Sequence, residues 1–258
     1  MTTSMPDDTV QIDPLFSIAG RAIVVTGAAS GLGAAMARAL AARGARLTLV
    51  DIAAGPLGQL AAELGAHAHR ADITDEASVD QLMAEARARH GVVDAVVNSA
   101  GLLHIAPAHA LSLDAFKASM DVNVTGAFLL SRSAARVMSG RGGRIVHFAS
   151  VSSQVANSNY AAYATSKAAL AHMVRVLARE WAPDGITVNA IGPAMTETGM
   201  TGGYLSDAEF RAQALSVIPL GRFGSPDDLI APLLLLLGPG GSFITGQTLY
   251  VDGGRTLV

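Results

Sequence analysis

The stretch Ala22-Ile23-Val24-Val25-Thr26-Gly27-Ala28-Ala29-Ser30-Gly31-Leu32-Gly33 decides the fold. Five residues suited to a strand run into a turn of small residues, and a segment with a period near 3.6 follows over 32–43. Small residues let backbone N–H groups approach a pyrophosphate, and a helix N-terminus behind them adds its positive dipole end. A glycine turn alone says little in a chain with 27 glycines. Its place after the first strand and before a helix is what makes it a candidate dinucleotide cradle rather than a plain βα turn.

The same rhythm continues outward. Strands are expected at 22–26, 46–50, 67–71, 93–98, 144–150, 186–191 and 247–252, with Ala/Leu-rich helical stretches such as 79–90 between them. Alternating βα units imply a Rossmann-type, doubly wound parallel sheet of seven strands with helices on both faces, in a single α/β domain. Residues 1–14 read as a flexible tail ahead of a domain over 15–258. One stretch breaks the rhythm. Residues 192–220 are long for a loop and carry Met195, Met200, Tyr204, Leu205 and Phe210, which suggests a substrate loop with a short helix near 206–215. Ser225-Pro226-Asp227-Asp228 starts a helix, and Pro232, six residues in, is expected to kink it.

Composition excludes several classes. Of 258 residues, half are apolar and 15% are charged, enough for a large core. The formal net charge of −3, with no basic cluster, offers nucleic acid no footprint. Cysteine is absent, so disulfides and thiolate chemistry are excluded. No His/Asp/Glu group has ligand spacing along the chain, so no metal site is expected. The N-terminus lacks the apolar core of a secretory signal, and the run 229–237 is too short to span a bilayer. A cytoplasmic protein with no membrane contact is the expectation.

Asp51 ends the second strand, where a carboxylate can accept hydrogen bonds from ribose hydroxyls and repel a 2′-phosphate. No arginine or lysine stands in the glycine turn or just after Asp51, which favours NAD over NADP. Asp72-Ile73 and Asn98-Ser99-Ala100-Gly101 follow the third and fourth strands, at the sheet end where ligands bind.

Tyr163 and Lys167 are four apart and share one face of a helix. With four tyrosines and two lysines in the chain, chance supplies about 0.03 such pairs. An alcohol losing a hydride must also lose a proton, and an ordinary tyrosine is too weak an acid to be a phenolate at pH 7. A nearby ammonium favours the phenolate. Tyr160 has only Ala164 one turn on. Ser150, thirteen residues before Tyr163, offers a hydroxyl to the reacting oxygen, with Ser152 and Ser153 as rivals. Asn123 reads either as a satisfied buried amide or as part of the site. Gln154, Asn157 and Asn159 offer polar contacts to a substrate, and His104 stands near the site or on the surface.

Taken together, these residues resemble the short-chain dehydrogenase/reductase family, from about Leu15 to Gly254. TGAASGLG (26–33) is similar to its TGxxxGxG turn and NSAG (98–101) to its NNAG, with Ser99 for the second Asn. YATSK (163–167) is similar to its YxxxK motif. The resemblance implies an NAD-dependent oxidoreductase of secondary alcohols and ketones. Tyr163 would be the acid/base, Lys167 its electrostatic partner and a ribose ligand, and Ser150 the substrate-orienting hydroxyl. Asn123 would hold a relay water through its backbone. Gly27, Ser30, Gly31, Leu32, Gly33, Asp51, Asp72, Ile73, Asn98, Ala100 and Gly101, with Tyr163 and Lys167, would contact the cofactor. Pro193, Thr196 and Thr198, in a segment similar to the family's PGxxxT with Ala194 for glycine, would join them. The resemblance also implies a homotetramer. Two other readings compete: a cofactor-binding sensor or scaffold without turnover, and epimerase or dehydratase chemistry on a sugar nucleotide. The full set Asn123, Ser150, Tyr163 and Lys167 argues against the first, and the absence of a larger C-terminal domain against the second.

Overall fold

The seven strands form one sheet of order β3-β2-β1-β4-β5-β6-β7, every neighbouring pair parallel. The structure, a computed structural model, describes residues 13–197 and 199–258, without the side chain of Met200. The first half runs β1 (Ala22–Thr26), α1 (Gly31–Ala41), β2 (Arg46–Asp51), α2 (Ala54–Leu64), β3 (His67–Arg70), α3 (Glu76–His90) and β4 (Ala95–Asn98). The second half runs α4 (Leu113–Met120), α5 (Ala127–Met138), β5 (Gly143–Phe148), α6 (Ala161–Trp181), β6 (Ile186–Pro193), α7 (Gly199–Leu205), α8 (Ala208–Ser216), α9 (Ile230–Leu237) and β7 (Thr248–Val251). This is the expected single Rossmann-type domain.

Burial explains the apolar runs. Strands β1, β4 and β6 are buried along their whole length, because helices cover both faces. On one face Ile23, Val25, Leu49 and Val97 pack against Met36 and Leu40 of α1, Leu57 of α2 and Leu233 of α9. On the other, Val24, Val50, Val96 and Ile145 pack against Leu82 and Met83 of α3, Leu130 of α5 and Val174 of α6. Each such side chain taken fully from water contributes roughly 1.5–3 kcal/mol.

Several expected boundaries shift. Asp13 and Pro14, read as the end of the tail, belong to the fold: the Asp13 carboxylate caps a 3-10 turn over Pro14–Phe16 by accepting from Leu15 N. The rest of that tail, 1–12, lies outside the described residues. The helix expected from Ser225 divides into a 3-10 turn (Pro226–Leu229) and α9. Pro232 has no N–H for the Asp228 carbonyl, and the change of helix type falls in that turn. The helix expected near 206–215 is α8, and α7 precedes it.

The chain leaves β1 toward β2 and leaves β4 toward β5, in opposite directions. A crevice therefore opens at the C-terminal ends of these neighbours, and the candidate site lies there.

Candidate active site

A cavity of about 730 Å³ runs along that crevice, from Asp51 and Asp72 at one end to Tyr163, Met195 and Phe210 at the other. Its first wall is the turn after β1. Gly27 has φ +66°, and a Cβ there would lie 2.7 Å from Ala100 N. A Cβ on Gly33 would lie 2.0 Å from the Gly27 carbonyl oxygen, so α1 can start this close to β1 only with glycine there. Ser30 is the N-cap of α1 yet makes no side-chain capping bond. Its hydroxyl and the first N–H groups of α1 face the cavity, a cradle suited to phosphate oxygens. Gly27, Ser30, Gly31 and Leu32 line the cavity; Gly33 braces the turn from behind.

Asp51 is tied down by its own neighbourhood. Its carboxylate accepts from Ala29 N at 3.0 Å and Ala53 N at 2.9 Å, which aims it into the cavity beside the glycine turn. Asp72 and Ile73 line the same end; Asp72 Oδ1 accepts from the Thr74 amide and hydroxyl, and Ile73 is buried. Ala100 and Gly101 line the middle, and Pro193 and Thr196 the far wall. Thr198 lies outside the described residues.

Asn98, expected as a cofactor contact, lies just beneath the cavity lining. It belongs to a buried chain of hydrogen bonds beneath the floor. The Thr26 hydroxyl donates to Asn98 Oδ1 at 2.6 Å, and Ala100 N donates to the same oxygen at 3.3 Å. The Asn98 amide lies 3.1 Å from His147 Nδ1, and His147 Nε2 lies 2.9 Å from Ser131 Oγ. Ser131 donates its proton to the Ala127 carbonyl at 2.7 Å. Ser131 must then accept from His147, so His147 carries its proton on Nε2 and accepts from Asn98 on Nδ1. Every proton in the chain is directed one way. Burial, with the Lys167 charge adding to it, pulls His147 down to about 3 from 6.5. The unfolded chain therefore binds a proton that the folded chain refuses. Stability from this residue falls as pH drops from about 6.5 toward 3, by roughly 1.4 kcal/mol per pH unit. His147→Gln should remove that part of the slope; urea unfolding at pH 7, 5 and 4 measures it, and equal slopes in both proteins would refute the assignment.

The long helix α6 brings Tyr163 and Lys167 to the cavity. Tyr163, Ser166, Lys167, Leu170 and Val174 recur at three- and four-residue steps, so one stripe faces inward. Lys167 is buried, with Nζ donating to the Phe148 carbonyl at 2.7 Å. It lies 5.7 Å from the Tyr163 ring centre. Ser150 follows β5, is buried, and accepts from Ser152 N at 3.1 Å, so its hydroxyl is held over the same end of the cavity. Ser152 also lines the cavity, whereas Ser153 turns away and lies 2.8 Å from the Tyr250 hydroxyl.

The electrostatics differ from the sequence expectation. Without cofactor, burial pushes the Tyr163 phenol up to about 12, opposed by its hydrogen bond with Ser150 and reinforced by Tyr160. Burial likewise pulls Lys167 down to about 8. The ammonium, bonded to Phe148, does not offset the desolvation of the phenol, so its expected acidifying effect is missing in the free chain.

Asn123 sits behind this pair, in a π-helical segment (Asp121–Gly126) between α4 and α5. It is buried, accepts from Leu102 N at 2.8 Å, and donates to Leu102 O and Ser166 Oγ, both at 2.9 Å. Ser166 in turn donates to the Tyr163 carbonyl at 2.7 Å. The side chain is thus a satisfied buried amide that fixes the first turn of α6, while the wider π turn around it alters which carbonyls find helical partners.

Residues 27–256 match the family model described as enoyl-(acyl carrier protein) reductase. D-Threitol dehydrogenase of Mycolicibacterium smegmatis is 38% identical over 96% of this chain and 97% of that protein. The chain belongs to the short-chain dehydrogenase/reductase family. This short-chain dehydrogenase/reductase is also 36% identical to the NAD-dependent glycerol dehydrogenase of Listeria innocua, over 95% of the chain and 97% of that protein. The crystal structure of a gluconate 5-dehydrogenase from Burkholderia cenocepacia, in complex with NADP and tartrate, superposes with a TM-score of 0.91. There the identity is 33%, covering 95% of this chain and 98% of that one. The protein is thus an oxidoreductase of a family that uses nicotinamide dinucleotides.

The structure also places residues that sequence reasoning passed over. Arg70 stands level with Asp51 in the register of β2 and β3, outside the cavity lining, and its guanidinium donates to the Ile52 carbonyl at 3.2 Å. No cation neighbours Asp51 along the chain; strand register supplies this one. Arg255, in the last turn (Arg255–Leu257), lines the cavity and donates to Asn157 Oδ1 at 3.0 Å. Tyr160 lines it too, edge-on to Tyr163 at 6.2 Å. Asn157 and Asn159 are in the wall as expected, but Gln154, Tyr204 and Leu205 are not. His104 lies 2.9 Å from Ser119 Oγ, away from the lining.

Proposed function

We propose that the protein is an NAD-dependent dehydrogenase of secondary alcohols, with polyhydroxylated substrates favoured, working through Asn123, Ser150, Tyr163 and Lys167. The observation that carries this reading is the convergence of Tyr163, Lys167 and Ser150 at one end of a cavity whose other end is a phosphate cradle. Gly27, Ser30, Gly31, Leu32, Asp51, Asp72, Ile73, Ala100, Gly101, Pro193 and Thr196 would hold the dinucleotide. Bound nicotinamide supplies the hydride acceptor or donor. The Ser150 hydroxyl holds the substrate oxygen. Tyr163 takes the carbinol proton as the alcohol is oxidised, or gives it back as a ketone is reduced. Lys167, freed from Phe148, binds ribose hydroxyls and steadies the phenolate. Asn123 holds α6 in place and, through its π-turn backbone, orders a water on the path from Lys167 to solvent.

The substrate end supports a polyol. Phe210, Met195 and Val217 give it an apolar side, and Asn157, Asn159, Ser152 and Arg255 give it hydrogen-bonding groups. The relatives named for threitol and glycerol agree with that class. A screen of secondary alcohols, polyols and sugar acids, read as NADH formation, tests it; no turnover of any of them with either dinucleotide would reject the proposal.

Asp51 supports NAD, because its carboxylate is aimed to receive ribose hydroxyls and would repel a 2′-phosphate. Arg70 pulls the other way. Asp51→Ala should therefore lower the NAD-to-NADP ratio of kcat/KM at least about tenfold, the worth of one charge-assisted hydrogen bond. An unchanged ratio would remove Asp51 from cofactor choice.

The protein is proposed to work as a cytoplasmic homotetramer, where dissolved nicotinamide dinucleotides are supplied. Among the described residues, no helix is long and apolar enough to cross a membrane. Exposed Phe128 on α5, Val176 on α6, and Leu249 on β7 with nearby Phe243 mark the faces that copies would cover. Light scattering should return the mass of four chains; a monomer would reject it.

A further inference from the structure

We infer that His67, His69 and Glu85 form a binding site for a nitrogen-preferring divalent transition ion, of the Zn²⁺ class, on the border of the sheet away from the active site. Ligand spacing along the chain marks no metal site. Folding supplies what spacing along the chain does not. His67 and His69 are two apart on β3, so both side chains point to the same face. That face is covered by α3, and Glu85 on α3 meets them. The three ligand atoms lie within 4.8 Å of one another, and His69 Nδ1 is 2.8 Å from Glu85 Oε2.

The dimensions suit a small ion. Metal–nitrogen and metal–oxygen bonds near 2.1 Å put tetrahedral ligand atoms about 3.4 Å apart. The His69–Glu85 separation is shorter than that value and no pair exceeds 4.8 Å, so a small adjustment of the side chains brings the set to ligating distance. Glu85 is oriented from its far side, where Gln81 Nε2 donates to Oε1 at 2.9 Å, the support a metal-binding carboxylate needs. Glu85 is half-exposed, which leaves an entry path and room for water as a fourth ligand.

Charge decides the class of ion. Arg89 lies one turn beyond Glu85 on α3, and His90 follows it. Burial first, then Arg89 and His69, hold His67 below its usual pKa, with Glu85 opposing. One carboxylate beside a cationic neighbour gives little to a hard ion that wants several oxygens, whereas two imidazoles suit zinc, nickel or copper. β3 is the border opposite β7, so the proposed tetramer faces leave it open.

Untagged full-length protein titrated with ZnCl₂ by calorimetry tests this. One Zn²⁺ per chain should bind and raise the melting temperature, and Mg²⁺ should do neither. His67→Ala and Glu85→Gln should each weaken Zn²⁺ binding at least about tenfold. His69→Gln keeps a donor for Glu85 and should behave the same way while preserving the fold by circular dichroism. Alcohol turnover without added zinc should be unchanged in all three. No binding by the parent protein, equal binding by the variants, or an equal response to Mg²⁺ would overturn the site.

Discussion

Tyr163→Phe should lower kcat for alcohol oxidation by about 10²–10⁴-fold, the usual contribution of a positioned acid/base. NADH affinity should stay within about twofold. The substitution removes one oxygen and leaves the ring, so the edge-on contact with Tyr160 and the packing of α6 persist. The phenol makes no bond that the helix needs: Ser166 holds the Tyr163 carbonyl, not its hydroxyl. A loss confined to kcat therefore reads the proton step alone. Stopped-flow hydride transfer and fluorescence titration of NADH separate the two quantities. Full activity in the variant would end the acid/base assignment, and a matching loss of NADH binding would mean that the residue shapes the site instead.

The second large effect concerns Lys167 and pH. In the free chain the phenol stands near 12 and the ammonium near 8, so at neutral pH the tyrosine is protonated and Lys167 is mostly charged. Oxidation needs the phenolate. Its rate must rise with pH until the phenol of the ternary complex is ionised, and reduction must fall over the same range. The Lys167 charge and the positive nicotinamide both favour the phenolate, so the midpoint should lie well below 12. Lys167→Met removes one of the two charges. It should raise the midpoint and cut kcat/KM for oxidation at neutral pH about tenfold per unit of that rise. Weaker ribose binding should add to the loss by raising the KM for NAD. Profiles of kcat/KM from pH 6 to 10 in parent and variant decide the matter. A midpoint that stays put, or moves down, would show that the ammonium has no electrostatic part in the reaction.

Much of the fold was legible because parallel strands buried on both faces read as short apolar runs. The segment 22–26 matches β1 in full, and the others match within one or two residues. The Tyr163–Lys167 pair was legible because a helix converts a four-residue step into a shared face. What escaped depends on contacts between elements. Nothing in Asp121–Gly126 announces a π turn, since that geometry comes from fitting Asn123 between Leu102 and Ser166. The place of Asn98 at a strand end beside the crevice was legible, but its bonds to Thr26 and His147 below the floor were not. Arg255 reaches the site through a late turn and Arg70 comes level with Asp51 through strand register, and no periodicity marks either. The segment 192–220 showed its apolar side chains without showing that Leu205, Ile218 and Phe223 pack into a small core of their own.

The sheet's two borders are guarded differently. β3 is four residues long and ends in an exposed arginine, features that discourage another strand from adding on. β7 is as short but carries Leu249, with Phe243 wholly in water just before it. A protomer kept from its own kind therefore has one adhesive margin. If copies assemble across that margin as proposed, mild denaturant that separates them should end in clumping along β7 before the interior strands come apart, so assembly would act as this chain's safeguard against precipitation.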